Sequence, residues 1–138
     1  MIVLDTNVVS ALMLPQRSAE IRGWLDQQPT ATLWTTTVSV YEILAGIDML
    51  PEGRRRRALE EGFEASLGLF AGRILAFDLD AAEHAALILS RRLLSGINKE
   101  TRDTQIAGIA MSRKARLATR NIRDFQDLDL DLVDPWSA

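Results

Sequence analysis

Short apolar runs recur along the chain and alternate with longer segments whose apolar residues repeat every three or four positions. The short runs predict β-strands and the longer segments predict helices, because apolar side chains follow these two periodicities. The predicted strands are Ile2–Leu4, Ala31–Trp34, Ile74–Phe77, Leu117–Thr119 and Leu130–Val133. This alternation predicts an α/β fold: a three-layer α/β/α sandwich with a mostly parallel sheet of four to five strands.

Several helix boundaries can be predicted from residue types. Apolar positions spaced at i, i+3 and i+4 predict a helix over Ser18–Gln27. Ser39 and Glu42 have the spacing of a capping box at the start of the helix that follows the second strand. Either Thr101 or Asn98 is the predicted N-cap of a later helix. These boundaries matter because they decide where the acidic residues near them lie.

The composition narrows the classes of protein to consider. The 138 residues contain no Cys and one His, which excludes disulfides, thiolate chemistry and multi-His metal sites. We expect residues 1–138 to form a single domain, because no segment reads as a linker. The chain start has no basic region, and no apolar run approaches about 18 residues, so we expect a cytoplasmic protein without a membrane segment.

Four acidic residues lie beside predicted strand ends. Asp5 directly follows the first strand, Glu42 follows the second, and Asp103 and Asp124 flank the fourth. Because the carboxyl ends of parallel strands meet at one edge, we expect these acids to lie near one another. Clustered carboxylates repel unless a cation neutralises them, and Mg²⁺ or Mn²⁺ prefers such oxygen ligands. Such a cation can activate water and stabilise charge on a phosphoryl oxygen.

Each of these acids also has a purely structural interpretation when it is taken alone. Asp5 has the residue type and position of a helix cap, and Glu42 that of the second half of a capping box. Asp103 can simply stabilise a helix N-terminus, and Asp124 can be an ordinary turn residue. The alternatives therefore stay open until the acids are considered together.

The charge is unevenly distributed along the chain. The net charge is −3, but residues 91–123 contain nine basic and two acidic side chains. Most of the basic residues are Arg, whose planar fork suits phosphate oxygens. Arg102, Arg120 and Arg123 are the candidates for positioning a phosphate. Solvated helix surface is the alternative interpretation of any single Arg.

Four segments in order resemble one known family. They are LDTNVVSAL at the start, TTTVSVYEILAGI, TRDTQIAGIA and LATRNIRDFQDLDLDLVDPW at the end. Together they resemble PIN domains, most closely the small VapC or FitB-type toxins. The resemblance implies Mg²⁺- or Mn²⁺-dependent endoribonuclease activity on RNA. It also implies a homodimer that is inhibited in a larger complex by a cognate antitoxin, with operator DNA bound only through the antitoxin.

The resemblance also assigns roles to the acids. Asp5, Glu42 and Asp103 match the three core acids of the family and are the implied metal ligands and catalytic residues. Many PIN domains have an Asp at the position of Asn121, whereas this chain has Asp124 three residues later. Either Asn121 or Asp124 is therefore expected to complete the site.

Polar residues beside the acids match the family as well. Thr6, Asn7 and Thr119 occupy these positions and are expected to hold the carboxylates through hydrogen bonds.

Two other functions remain open at the level of sequence. One is a non-catalytic PIN-like module that acts through an antitoxin and DNA, which the amide at Asn121 keeps in consideration. The other is a structure-specific DNA nuclease that uses the same acids.

Overall fold

The computed structural model describes residues 1–138 as a five-stranded sheet covered by helices. The strands are β1 (Ile2–Leu4), β2 (Leu33–Thr36), β3 (Ile74–Leu75), β4 (Arg116–Ala118) and β5 (Leu132–Val133). The helices are α1 (Thr6–Leu12), α2 (Pro15–Ser18), α3 (Arg22–Leu25), α4 (Thr37–Asp48), α5 (Arg54–Leu69), α6 (Leu79–Leu94) and α7 (Thr101–Ser112). Short 3₁₀ helices cover Ala19–Ile21, Thr30–Thr32 and Ile122–Asp124.

The strands lie in the order β3-β2-β1-β4-β5, and every neighbouring pair is parallel. The chain builds one side of the sheet from β1 to β3 and then crosses to add β4 and β5 on the other side of β1. The direction of strand addition therefore reverses between β1 and β4. In open parallel sheets, the crevice beyond the carboxyl ends at such a reversal is the usual ligand site. The predicted α/β fold class is confirmed.

Strand β1 separates two hydrophobic cores. Ile2 and Leu4 belong to the core on one face, and Val3 belongs to the core on the other face. Alternate side chains of a strand point to opposite faces, so this assignment follows directly from an uninterrupted apolar run. With both faces covered, β1 is fixed firmly at the centre of the sheet, and the residue that follows it is placed with little freedom.

Helices α6 and α7 pack closely on one face of the sheet. A Cβ atom at Gly108 in α7 would lie 2.7 Å from both the carbonyl oxygen of Ala81 and the Cβ of Ala85 in α6. Glycine is therefore required at this crossing, because any larger residue would push the two backbones apart. None of the helices is long and apolar enough to cross a membrane.

The prediction of one continuous helix over Ser18–Gln27 is wrong. The segment consists of the end of α2, a 3₁₀ turn and the short helix α3. The backbone leaves the helical region at Ile21 (φ −113°, ψ 6°), and this break lets Ile21, Trp24 and Leu25 all enter one core. The predicted second strand also starts late, at Leu33, because a 3₁₀ turn occupies the preceding residues.

Candidate active site

Asp5 lies at the carboxyl end of β1, in the crevice beside β4. Its Oδ1 accepts a hydrogen bond from the Thr6 backbone amide at 2.8 Å, and its Oδ2 accepts one from the Thr119 hydroxyl at 2.7 Å. Only 3% of the residue is exposed. Asp5 is thus both the N-cap of α1 and a carboxylate that faces a pocket, so its capping position does not exclude a role in a site.

The surroundings of Asp5 disfavour its charged form. Burial is the largest effect and raises the pKa of Asp5, and the nearby charge of Asp124 raises it further. The hydrogen bonds from Thr119 and Thr6 act in the opposite direction but do not cancel the effect of burial. A cation in the pocket would relieve this cost.

Glu42 comes from α4 on the neighbouring side of the sheet. Its Oε1 accepts a hydrogen bond from the Thr6 hydroxyl at 3.0 Å, and its Oε2 lies 3.7 Å from a guanidinium nitrogen of Arg102. Burial raises the pKa of Glu42 despite these two contacts. Thr6 therefore links two acids: its amide binds Asp5, and its hydroxyl binds Glu42.

The predicted capping box of Ser39 and Glu42 is wrong. The helix begins earlier, so that Thr36 is the N-cap, and its hydroxyl accepts a hydrogen bond from the Ser39 amide at 3.1 Å. Ser39 instead lies fully buried, with its hydroxyl 2.9 Å from that of Thr6. Three consecutive Thr residues offered several possible caps, and the sequence pattern selected the wrong start. Glu42 is consequently released from a capping role.

Asp103 lies in the first turn of α7. The N-cap of this helix is Glu100, whose carboxylate accepts a hydrogen bond from the Arg102 amide at 2.9 Å, so the prediction of Thr101 or Asn98 is wrong. Asp103 itself forms no salt bridge.

Asp103 is the most strongly perturbed acid of the site. Burial, together with the charges of Asp5, Asp124, Glu100 and Glu42, raises the pKa of Asp103 to about 7. Strongly perturbed groups of this kind are typical of functional sites.

The three acids meet at one open pocket of about 500 Å³. Four of the predicted supporting residues also line it: Thr6, Asn7, Arg120 and Asn121. Five lining residues were not singled out as site residues from the sequence: Ser10, Ala11, Arg17, Glu20 and Trp136. Arg17 and Glu20 lie outside the four family segments, whereas Ser10, Ala11 and Trp136 lie inside them at positions to which the resemblance assigned no role. Three of the four acids that the strand-end argument expected to lie near one another thus line the same pocket.

The structure separates the two candidates for the fourth position. Asn121 lines the pocket, whereas Asp124 does not. The carboxylate of Asp124 instead lies 3.6 Å from the ammonium nitrogen of Lys99. Asp124 still acts on the site at longer range, because its charge raises the pKa of both Asp5 and Asp103.

The three arginines predicted to position a phosphate lie in different surroundings. Arg120 lines the pocket. Arg102 lies at its side, where its guanidinium pairs with Glu100 at 2.9 Å and with Glu42 at 3.7 Å. Arg123 is exposed and does not line the pocket.

The hydrogen bonds of Thr119 and Asn7 agree with the predicted supporting role. Besides binding Asp5, the Thr119 hydroxyl accepts a hydrogen bond from the Asn121 amide at 3.0 Å. The Asn7 side-chain oxygen accepts one from the Arg120 amide at 3.4 Å. These contacts tie the loop after β4 to the start of α1.

The donor set suits a hard divalent cation. The pocket offers carboxylate and amide oxygens but no sulfur or imidazole, which matches the preference of Mg²⁺ and Mn²⁺. No group of three or more acidic or His side chains is arranged to hold a metal ion directly. Mg²⁺ commonly takes one or two carboxylates and keeps several waters, so a site of this type fits without a complete protein cage.

The fold and the pocket define a class of protein: a parallel α/β domain with clustered carboxylates at the reversal point of its sheet. The family model described as "PIN domain" matches residues 2–130. The chain therefore belongs to the PIN domain family, and the resemblance predicted from the four segments is confirmed.

Curated relatives cover the whole chain. The plasmid stability protein StbB of Pseudomonas syringae is 37% identical over 139 residues, which cover 100% of both chains. The VapC ribonuclease Y4jK of Sinorhizobium fredii is 35% identical, with 99% of this chain and 98% of the relative covered.

Solved structures share the fold along its full length. FitAcB from Neisseria gonorrhoeae matches with a TM-score of 0.88 and 34% identity, covering 100% of both chains. DNA-bound VapBC from Salmonella typhimurium matches with a TM-score of 0.79 and 25% identity, covering 97% of each chain.

Proposed function

We propose that this protein is a Mg²⁺- or Mn²⁺-dependent endoribonuclease and the toxin of a toxin–antitoxin module. The main observation is that carboxylates from the end of β1, from α4 and from α7 line one pocket, and that neither Asp5 nor Asp103 forms a salt bridge. The 35% identity to a protein named as a VapC ribonuclease supports RNA as the substrate.

The acids of the pocket have distinct roles in this proposal. Asp5 and Asp103 hold the cation, and Glu42 adds negative charge beside them. When bound, the cation activates water and stabilises charge on the phosphoryl oxygen. Thr119 and Thr6 keep the carboxylate of Asp5 oriented toward the pocket through the hydrogen bonds described above.

Cleavage of single-stranded RNA tests this proposal. The wild type should cleave RNA with Mg²⁺ and should lose this activity in EDTA and in the Asp5→Asn variant. Asp26→Asn, which removes an exposed carboxylate outside the pocket, is the matched control and should cleave normally. Full cleavage in EDTA or by Asp5→Asn would overturn the mechanism, and cleavage of DNA but not RNA of the same sequence would indicate a DNA nuclease.

We propose that a cognate antitoxin inhibits the nuclease. The pocket is rich in carboxylates, so a partner segment that carries Arg could enter and neutralise it. The likeness to FitAcB and to DNA-bound VapBC supports this partner, with operator DNA contacted through the antitoxin. The toxin would form a homodimer within the larger complex. Co-purification with the product of the adjacent reading frame is expected, and its absence would contradict this part of the proposal.

A non-catalytic PIN-like module is the second candidate. The observation in its favour is that no three acids are arranged to hold a metal ion directly, with an amide at Asn121 beside them. This alternative predicts antitoxin binding without RNA cleavage under any metal condition, so the cleavage assay also separates these two functions.

A further inference from the structure

Two arginines line the pocket without any carboxylate partner. Arg17 in α2 and Arg120 after β4 both contribute to its wall, and neither forms a salt bridge. Arg102, the third arginine near the site, is already paired with Glu100 and Glu42. Unpaired guanidinium groups beside an acidic cluster would normally turn to the nearest carboxylate, so their availability suggests an anionic ligand.

Arg120 is held in place by its contact with Trp136. The guanidinium carbon lies 4.8 Å from the centroid of the Trp136 ring, within the range of a cation–π contact. The indole nitrogen of Trp136 donates a hydrogen bond to Glu20 at 2.9 Å, and its backbone amide donates one to Asp134 at the same distance. The indole also packs against the core that contains Leu4. These contacts fix the ring on which Arg120 rests.

Arg17 reaches the pocket from a different side. It also borders a second cavity together with Ser10, Ile43 and Glu42, which places it near α1 and α4. Arg120 belongs instead to the loop after β4, beside Asn121 and Trp136. The two cationic side chains therefore approach the acids from two directions.

The charge of the pocket shows why such residues are needed. Its lining carries four carboxylates and two guanidinium groups, so a polyanionic strand would be repelled by a formal balance of −2. A divalent cation offsets this charge at the acids but does not hold the strand on either side. The planar fork of Arg matches phosphate oxygens and can fix a strand without reading its sequence.

We propose that Arg17 and Arg120 bind the RNA phosphates that flank the scissile one, and that Trp136 is the positioning residue for Arg120. This inference rests on the proposed function and identifies how its substrate is held. It adds Arg17 and Trp136 to the site and assigns the predicted phosphate role to Arg120.

RNA binding without cleavage tests the two arginines. Binding of a fluorescent single-stranded RNA of roughly 12 nucleotides is measured by anisotropy at several salt concentrations, with Ca²⁺ in place of Mg²⁺ so that a cation offsets the charge of the acids. Arg17→Gln and Arg120→Gln should each weaken binding by about 10-fold, because each removes a charge-assisted contact. Each variant should also reduce the slope of log K against log salt by about 0.7. Arg91→Gln, an exposed α6 residue outside this pocket, is the matched control.

Substitutions of Trp136 test the positioning role. Trp136→Phe keeps an aromatic face and should stay within about 3-fold of the wild type, whereas Trp136→Leu should weaken binding by about 5-fold. In the Arg120→Gln background, Trp136→Leu should have no further effect, since the group that it positions is already absent. An equal loss in both backgrounds would show that the ring acts independently of Arg120.

The results separate this inference from the proposed function. Active wild-type protein with unchanged RNA affinity and salt slope in both Arg variants would overturn the inference and leave the nuclease intact. Undetectable RNA binding by the wild type would overturn it as well. RNA binding that depends on Arg17 and Arg120 in a protein that does not cleave RNA would support the inference and contradict the nuclease. Circular dichroism of each variant confirms that it is folded.

Discussion

Two charged clusters flank the start of α7, and only the first is neutralised by a salt bridge within the protein. In the first, Arg92 is only 3% exposed and pairs with both carboxylate oxygens of Asp127, at 2.8 and 2.9 Å. It also donates hydrogen bonds to the hydroxyl of Thr104 and to the backbone carbonyl of Asp124. The guanidinium lowers the pKa of Asp127, so the charged pair is complete within the protein.

The second cluster consists of Asp5, Glu42 and Asp103. Only Glu42 forms a salt bridge, with Arg102 at 3.7 Å, and burial raises the pKa of all three acids. Thr104 of the paired cluster directly follows Asp103 of the unpaired one, so one helix end contributes to both. The contrast shows that the fold supplies a countercharge where the role is structural. At the pocket Asp5 and Asp103 have no such countercharge, as the proposed cation site requires.

The largest expected effect comes from the unpaired cluster. Asp103→Asn should reduce the Mg²⁺-dependent rate of RNA cleavage by about 10³-fold, equivalent to about 4 kcal/mol of transition-state stabilisation. Single-turnover kinetics with saturating enzyme measures the rate. Asp129→Asn, an exposed acid outside the pocket, should keep the wild-type rate. A loss below about 10-fold in Asp103→Asn would show that this acid is not part of the machinery.

Breaking the paired cluster should affect stability. Arg92→Met leaves Asp127 without its partner and should lower the free energy of unfolding by about 3 kcal/mol. The lower end of the range for buried pairs applies because the Asp127 side chain is 23% exposed. Urea denaturation measures the change, and adding Asp127→Leu should recover much of it. A loss near about 0.5 kcal/mol would match a surface pair and contradict the account.

Loss of the hydrogen bond that orients Asp5 should have the next largest effect. Thr119→Val removes the hydrogen bond to Oδ2 of Asp5 and should weaken Mn²⁺ binding by about 10–100-fold. Calorimetric titration measures the affinity. Thr119→Ser restores a hydroxyl at the same position and should bind Mn²⁺ nearly as the wild type does. Equal affinity of the Val and Ser variants would show that this hydroxyl does not orient Asp5.

The smallest effect is a difference in pH dependence measured in EDTA. Because the pKa of Asp103 is raised to about 7, the folded state holds a proton that the unfolded state releases near pH 3.8. Its contribution to stability therefore falls as pH rises from about 4 to 7, by about 1 kcal/mol after solvent screening of a half-exposed group. Asp103→Asn should remove this part of the profile, which urea titrations at several pH values measure.

Asp127 should show the opposite sign. Its pKa is lowered by Arg92, so its stabilisation is present above pH 3.8 and is lost as pH falls through the lowered pKa. Asp127→Asn should flatten only this acidic limb of the stability profile. If Asp103→Asn and Asp127→Asn changed the stability profile over the same pH range, the two clusters would not differ as described.

The positions of the central acids could be predicted from the sequence because they depend on which residue follows each strand. An apolar run that ends at Asp5 places this acid at the edge of the sheet whatever the rest of the chain does. Parallel strands then bring Glu42 and Asp103 to the same edge without any knowledge of side-chain contacts. The family motifs pointed to the same three residues.

The remaining features depend on contacts that no local pattern records. The pairing of Arg92 with Asp127 joins residues that are 35 positions apart in sequence. The 3₁₀ turn after β4 decides that Asn121 lines the pocket while Asp124 faces Lys99. Helix starts were misplaced where several possible caps stood together, since tertiary contacts choose among them.

Calorimetric titration of Mn²⁺ into the free protein tests the central claim most directly, because the claim is that the unpaired acids form a cation site. The wild type should bind Mn²⁺, and Asp5→Asn and Asp103→Asn should each weaken binding by at least about 100-fold, while Asp26→Asn binds normally. Absence of Mn²⁺ binding by the wild type, or unchanged affinity in both pocket variants, would contradict the account.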